Sequence, residues 1–186
     1  MKKLIPVALV MALVLALGHG EVWAQRCGGG GCGGGSGGGS GGGTLTATEV
    51  SWILRMREEE KLARDVYITL GALWNAPIFW KIAQQEQCHT TAVKQLIVAY
   101  GLTDPVVDDS VGAFTNPLFT GLFYDFVAAG SVSLPDAYQV GVDVEELDIA
   151  DLLQALGVVE KIDVRSVFEK LLRGSYNHLA AFGTYL

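Results

Sequence analysis

The sequence predicts an all-α protein: four long helices in a bundle, with one long crossover that carries a short extra helix. Three observations point there. Apolar residues recur at steps of three and four along four separate stretches. The helix start and stop signals leave connections that run short, long, short. No stretch alternates apolar and polar residues over strand length.

The bundle is preceded by a segment of different character. Lys2 and Lys3 open the chain, and an apolar run from Leu4 to Leu17 follows. A run of about 14 residues is too short to span a bilayer, so residues 1–24 read as a secretory signal, with Val22-Trp23-Ala24 offering the cleavage site. The expected location is secreted or periplasmic, with no membrane association after cleavage. Residues 25–45 read as a flexible tether, since positions 28–43 are glycine and serine apart from Cys32. It would span roughly 20–25 Å on average. Cys27 and Cys32 bracket four glycines. A small disulfide loop suits an exported chain, and a two-thiolate metal clip is the sharper alternative.

Residues 46–186 form the expected domain. Thr46-Ala47-Thr48-Glu49 is a capping-box pattern that starts the first long helix near Ala47. Its buried row reads Ile53, Met56, Glu60, Ala63, Tyr67, Leu70, or, one residue over, Trp52, Met56, Glu59, Ala63, Val66, Leu70. Periodicity does not separate the two. A third reading makes Glu58, Glu59 and Glu60 a solvated face with Lys61 and Arg64. Asn75 and Pro77 start the second long helix, whose row is Phe79, Ile82, Glu86, His89, Val93, Leu96, Tyr100. It ends at Tyr100-Gly101. The short link makes the first two helices antiparallel neighbours.

The crossover from Gly101 to Ser133 holds an amphipathic helix, about Leu118 to Ala129, read as a cover over one end of the bundle through Leu122, Phe123 and Phe126. Ser133 starts the third long helix, which stops at Gly157 with Val142, Ile149 and Leu156 as its stripe. Glu145 and Glu146 border that stripe, with Asp148 and Asp151 following at helical spacing. Asp163 is the expected cap of the fourth helix, whose row is Val164, Phe168, Leu171, Ser175, His178, Phe182, Tyr185.

Carboxylates and imidazoles thus stand near mid-helix in rows that should be buried. Unpaired there, each costs several kcal/mol. A metal ion held by Glu-x-x-His in a helix bundle is a well-precedented remedy, and Glu86-Gln87-Cys88-His89 has that spacing. Carboxylates with imidazoles suit iron or manganese. A formal charge of −7, made more negative by signal cleavage, disfavours nucleic acid and anionic membrane as partners. The serines lack the flanking pattern of a nucleophile turn.

These residues carry a resemblance. Glu60-Lys61-Leu62-Ala63-Arg64-Asp65-Val66-Tyr67 resembles the first-helix Glu-x-x-Ala-Arg-x-x-Tyr of rubrerythrin-like proteins, and Glu86-Gln87-Cys88-His89 the second-helix Glu-x-x-His of the ferritin-like superfamily. The run from Met56-Arg57-Glu58-Glu59-Glu60 to Gly174-Ser175-Tyr176-Asn177-His178-Leu179 looks like the ferritin-like family DUF2202, over about Glu49 to Leu186. The resemblance selects Glu60 over Glu59 and implies a ferritin-like bundle with metal ligands Glu60, Glu86, His89 and His178. It adds a glutamate of the third long helix, Glu146 first and Glu145 beside it. Tyr67 would donate a hydrogen bond to a ligand. Where Glu-x-x-His would stand on the fourth helix, this chain has Ser175-Tyr176-Asn177-His178, so a carboxylate is missing or supplied by Glu145 or Asp148. The implied function is a di-iron, or mono- or di-manganese, centre that oxidises iron or reduces dioxygen or peroxide. The alternatives are a bundle that binds metal without turnover and one whose polar row is a hydrogen-bonded network. Expected partners are metal ions, dioxygen or peroxide, and a second copy of the chain.

Overall fold

The structure, a computed structural model, describes residues 44–186; the signal and tether readings of residues 1–43, with Cys27 and Cys32, lie outside them. The described residues form five helices and no strand: α1 (Ala47–Trp74), α2 (Pro77–Ala99), α3 (Pro117–Gly130), α4 (Leu134–Leu156) and α5 (Ile162–Gly183). No helix among them is long and apolar enough to cross a membrane. The all-α bundle with one long crossover is therefore observed.

Local chemistry sets most of the boundaries. Thr46 accepts from the Glu49 N–H while Glu49 reaches back to the Thr46 N–H, the reciprocal box the sequence contains. Asn75 ends α1 in the left-handed region at φ 50°, a conformation asparagine tolerates, and Pro77 starts α2 two residues later. Asn116 caps α3 and Ser133 caps α4. The fourth long helix departs from expectation. α5 begins at Ile162 with Lys161 at the cap position, and Asp163 lies inside the first turn. Its carboxylate instead accepts from the Tyr100 hydroxyl at 2.7 and 2.9 Å, tying the end of α2 to the start of α5.

Every adjacent pair of long helices is antiparallel. On α1 and α2, Glu60 meets His89 while Gly71 meets Phe79. On α2 and α5, Gln85 meets His178 while Tyr100 meets Asp163. On α1 and α4, Arg55 meets Asp151 while Tyr67 meets Glu145. On α4 and α5, Gly141 meets Phe182 while Asp148 meets Ser175. Helices α2 and α4 then run in the same direction, so residues 101–133 must carry the chain from one end of the bundle to the other. Helix α3 is part of that return. It lies along α1, with Phe119 beside Arg55 and Gly130 against Leu70 and Trp74. It is a flank rather than an end cover, and it buries Phe119, Phe123 and Val127, with Leu122 and Phe126 only partly covered.

The crossover also changes the character of α1. Glu58 accepts from the backbone N–H groups of Thr115 and Asn116. Lys61 donates to Asp65 and to the Ser110 carbonyl, and Arg64 to Gln87 and Asp109. All of Met56 to Tyr67 is buried, so no solvated face exists, and Glu59 and Glu60 both lie inside. On α4 the buried residues are Ala137, Val140, Gly141, Val144, Glu145, Asp148, Ile149, Leu152 and Ala155; of the expected Val142–Ile149–Leu156 line Ile149 is among them, while Val142 and Leu156 are only partly covered. On α5 the expected row is buried as read from Val164 to Phe182, whereas Tyr185 is exposed.

The apolar core comes in two parts. One joins Leu62, Val66, Tyr67, Phe79, Phe123, Val144 and Phe182; the other joins Ile53, Met56, Val93, Leu96, Leu152, Phe168 and Leu171. Between them lies a buried polar layer: Glu59, Glu60, Glu86, His89, Glu145, Asp148, Ser175 and His178.

Candidate metal centre

Each long helix contributes to this layer at its middle. Helical spacing explains the pairing within each element: residues three apart share a face, so Glu86 and His89 project together from α2, Glu145 and Asp148 from α4, Ser175 and His178 from α5. Helix α1 supplies Glu60 and, beside it, Glu59.

Two groups of ligand atoms result. In the first, atoms of Glu60, Glu86 and His89 lie within 4.8 Å of one another; in the second, those of Glu86, Glu145 and His178 do. Glu86 belongs to both. Its Oε2 is 2.8 Å from His89 Nδ1 and its Oε1 is 2.6 Å from His178 Nδ1. His89 Nδ1 is also 3.2 Å from Glu60, and His178 Nδ1 is 3.5 Å from Glu145. The two imidazole rings stack with centroids 5.5 Å apart.

Neighbours orient these ligands. The Tyr67 hydroxyl donates to Glu145 Oε1 at 2.6 Å and also approaches the Gly141 carbonyl. His178 Nε2 lies 2.6 Å from Gln85 Oε1, so Nε2–H donates to the amide oxygen and Nδ1 is the ring nitrogen that faces the carboxylates. Ser175 donates to Asp148.

The electrostatics call for a cation. Burial, reinforced by Glu86, pushes Glu60 up to about 8 although His89 opposes the shift. Burial and Glu86 together push Glu145 up to about 7. Asp148 is raised well above its ordinary value by burial and then by Glu60 and Glu145. Burial would raise Glu86 as well, but the His178 and His89 rings outweigh it and hold Glu86 below the carboxylate range. Burial would lower the imidazoles, yet Glu86 leads the neighbours that raise His89 and bring His178 to about 10. Protons therefore neutralise the cluster when no metal does. Several buried donor atoms still lack a hydrogen-bond partner: Glu60 Oε1, Asp148 Oδ1, both oxygens of Glu59, and His178 Nδ1, which is near Glu86 but out of line with it. Orphaned oxygens and a free imidazole nitrogen, converging in one layer, fit a bound metal ion.

Of the residues singled out by sequence, Glu60, Glu86, His89, Glu145 and His178 come together here. Glu146 does not. With Glu145 and Asp148 facing inward, Glu146 is turned outward and is exposed. Glu145 occupies the inward position on α4. Sequence reasoning missed Gln85, a half-buried glutamine one residue before Glu86 with no periodic signal to mark it.

A helical bundle with a buried layer of shared carboxylates and paired imidazoles is thus the class of protein defined by fold and site. The family model for the uncharacterized protein domain DUF2202 matches residues 49–186, and the chain belongs to that family. An uncharacterized protein of Methanocaldococcus jannaschii, MJ0754, is 46% identical over 138 residues, covering 74% of this chain and 75% of its own length. The crystal structure of that hypothetical protein superposes with a TM-score of 0.74 at 45% identity, over 75% of this chain and 80% of the other.

Proposed function

We propose that this protein holds two metal ions, iron or manganese, in the mid-bundle layer and uses them in redox chemistry on dioxygen or peroxide, or in oxidising Fe²⁺ as a substrate. The observation that carries the reading is Glu86, whose two carboxylate oxygens face two different histidines, so that the two groups of ligands share one bridging residue. Glu60 and His89 would complete one position, Glu145 and His178 the other. The resemblance to ferritin-like proteins stated from the sequence supports the same assignment. Bound iron or manganese supplies the one-electron chemistry that no side chain here provides.

The protein's own groups have distinct tasks. Tyr67 holds Glu145 in one rotamer, and Gln85 holds His178 with Nδ1 toward the metal position. Apolar layers on either side exclude water, which strengthens every interaction within. The first 43 residues would export the domain and tether it.

Ser175 favours a second reading. It stands where a further carboxylate would be expected on α5, and it binds Asp148 rather than offering a charged ligand. A bundle that binds metal without turnover would tolerate that loss better. Anaerobic loading with Fe²⁺ followed by air separates the readings. An oxygen-dependent rise in near-ultraviolet absorbance at a rate above that of free Fe²⁺ supports redox function. Stoichiometric binding with no such change supports binding alone.

A further inference from the structure

Beside the two groups of ligands stands a second set of carboxylates that neither uses. Helices α1 and α4 are antiparallel, and Arg55 joins them near the surface. Its Nε donates to Asp151 at 2.7 Å and lies 3.4 Å from Glu59. One turn on from Arg55 along α1 is Glu59, and one turn back from Asp151 along α4 is Asp148. Because the helices are antiparallel, both steps lead the same way, toward the centre, and Glu59 and Asp148 face each other. Side-chain exposure falls along this line, from 30% at Arg55 and 15% at Asp151 to 2% at Glu59. Asp148 and then Glu60 are buried beyond it.

Two of these carboxylates are incompletely partnered. Neither oxygen of Glu59 makes a hydrogen bond, and Asp148 Oδ1 makes none although Oδ2 accepts from Ser175. Asp148 is the charged group that acts most strongly on Glu59. A buried carboxylate without hydrogen bonds is costly, and apolar residues of similar size would pack the same space better. Arg55 supplies one positive charge against three carboxylates, and it rests over the rings of Trp52 and Phe119 at 6.0 and 5.6 Å. That aromatic seat holds the guanidinium at the outer end of the line.

We infer that Glu59 and Asp148 line the route by which a divalent cation passes between helices α1 and α4 from the surface to the ligands around Glu86, with the Arg55–Asp151 pair closing its outer end. Hard, oxygen-only ligands suit a divalent ion in transit, and incomplete coordination there lets it move on to the nitrogen-containing groups. The inference rests on the metal centre proposed above and concerns how ions reach it.

Its test is the rate of loading. Co²⁺ is mixed with the full-length protein in a stopped-flow instrument and followed by its visible absorbance, while equilibrium titration gives the number of ions bound. Glu59→Gln keeps the shape and removes the ionisable carboxyl group. It is expected to bind as many ions as the wild type, about tenfold more slowly, because a neutral amide is a poorer ligand for a passing cation than a carboxyl group that gives up its proton to it. Arg55→Gln, which opens the outer end, is expected to load faster than the wild type. Equal loading rates in all three proteins would overturn the route. So would the loss of one bound ion in Glu59→Gln at an unchanged rate, since Glu59 would then be a ligand. If the wild type binds no ion, the metal centre fails, and the route with it.

Discussion

Gly174 on α5 lies directly against the imidazole of His89 on α2: a Cβ at position 174 would stand 2.6 Å from Nε2. The absence of a side chain is what lets the ring sit between the helices with Nδ1 turned toward Glu60 and Glu86. Gly174→Ala is expected to displace the ring, weakening metal binding by about tenfold or more and lowering stability by about 1–3 kcal/mol. Isothermal titration with Mn²⁺ and a thermal melt measure the two effects separately.

Tyr67→Phe removes the hydrogen bond to Glu145 and nothing else of consequence to packing, because the ring contacts with Phe79 and Phe182 remain. Glu145 gains rotational freedom and loses its partner. Metal affinity should fall by about tenfold. The metal-free fold should lose about 1–2 kcal/mol, read from denaturant titration.

Glu145 and Glu146 are neighbours in sequence with opposite environments, one buried against His178 and one exposed. Glu145→Gln is expected to reduce the number of ions bound. Glu146→Gln should change neither binding nor stability beyond about 0.5 kcal/mol. A loss of binding in the second variant would place the α4 ligand on the wrong residue.

The helices are closed at one end by Glu49, which accepts from the N–H groups of Thr46, Glu160 and Lys161 and so ties the start of α1 to the link between α4 and α5. What burial would raise, these hydrogen bonds more than reverse, bringing Glu49 to about 2 from an ordinary 4.5. A carboxylate with a depressed value stabilises the fold fully above its unfolded value, and that contribution is lost as pH falls through the folded one. The wild type should therefore lose stability between about pH 4.5 and 2 relative to Glu49→Gln, whose profile should be flatter. Urea midpoints across that range measure the difference.

Much of this was legible in the residues. The capping box at Thr46, Pro77 after Asn75, and Ser133 each placed a helix start, because local hydrogen bonds decide starts. The rows containing Glu86, His89, Ser175 and His178 were right because those helices have one buried face each. Where a second layer packs, periodicity lost its meaning. Helix α1 is covered by the crossover as well as by its neighbours, so Glu58, Glu59, Lys61 and Arg64 are buried through partners distant in sequence. On α4 Ile149 is buried as read, but the inward carboxylates Glu145 and Asp148 occupy positions an apolar pattern leaves blank. Asp163 was taken for a cap because aspartate commonly is one, and Tyr100 claims it instead.

The most direct measurement is the metal content of the protein after anaerobic Fe²⁺ loading and removal of free ion, for the wild type and for Glu86→Ala. Because Glu86 serves both groups of ligands, one substitution should empty both positions. Close to two ions per chain in the wild type, and essentially none in the variant, is the expected result. No bound iron or manganese in the wild type, or an undiminished amount in the variant, would contradict the shared-carboxylate centre. The layer would then be a proton-sharing network between two apolar cores.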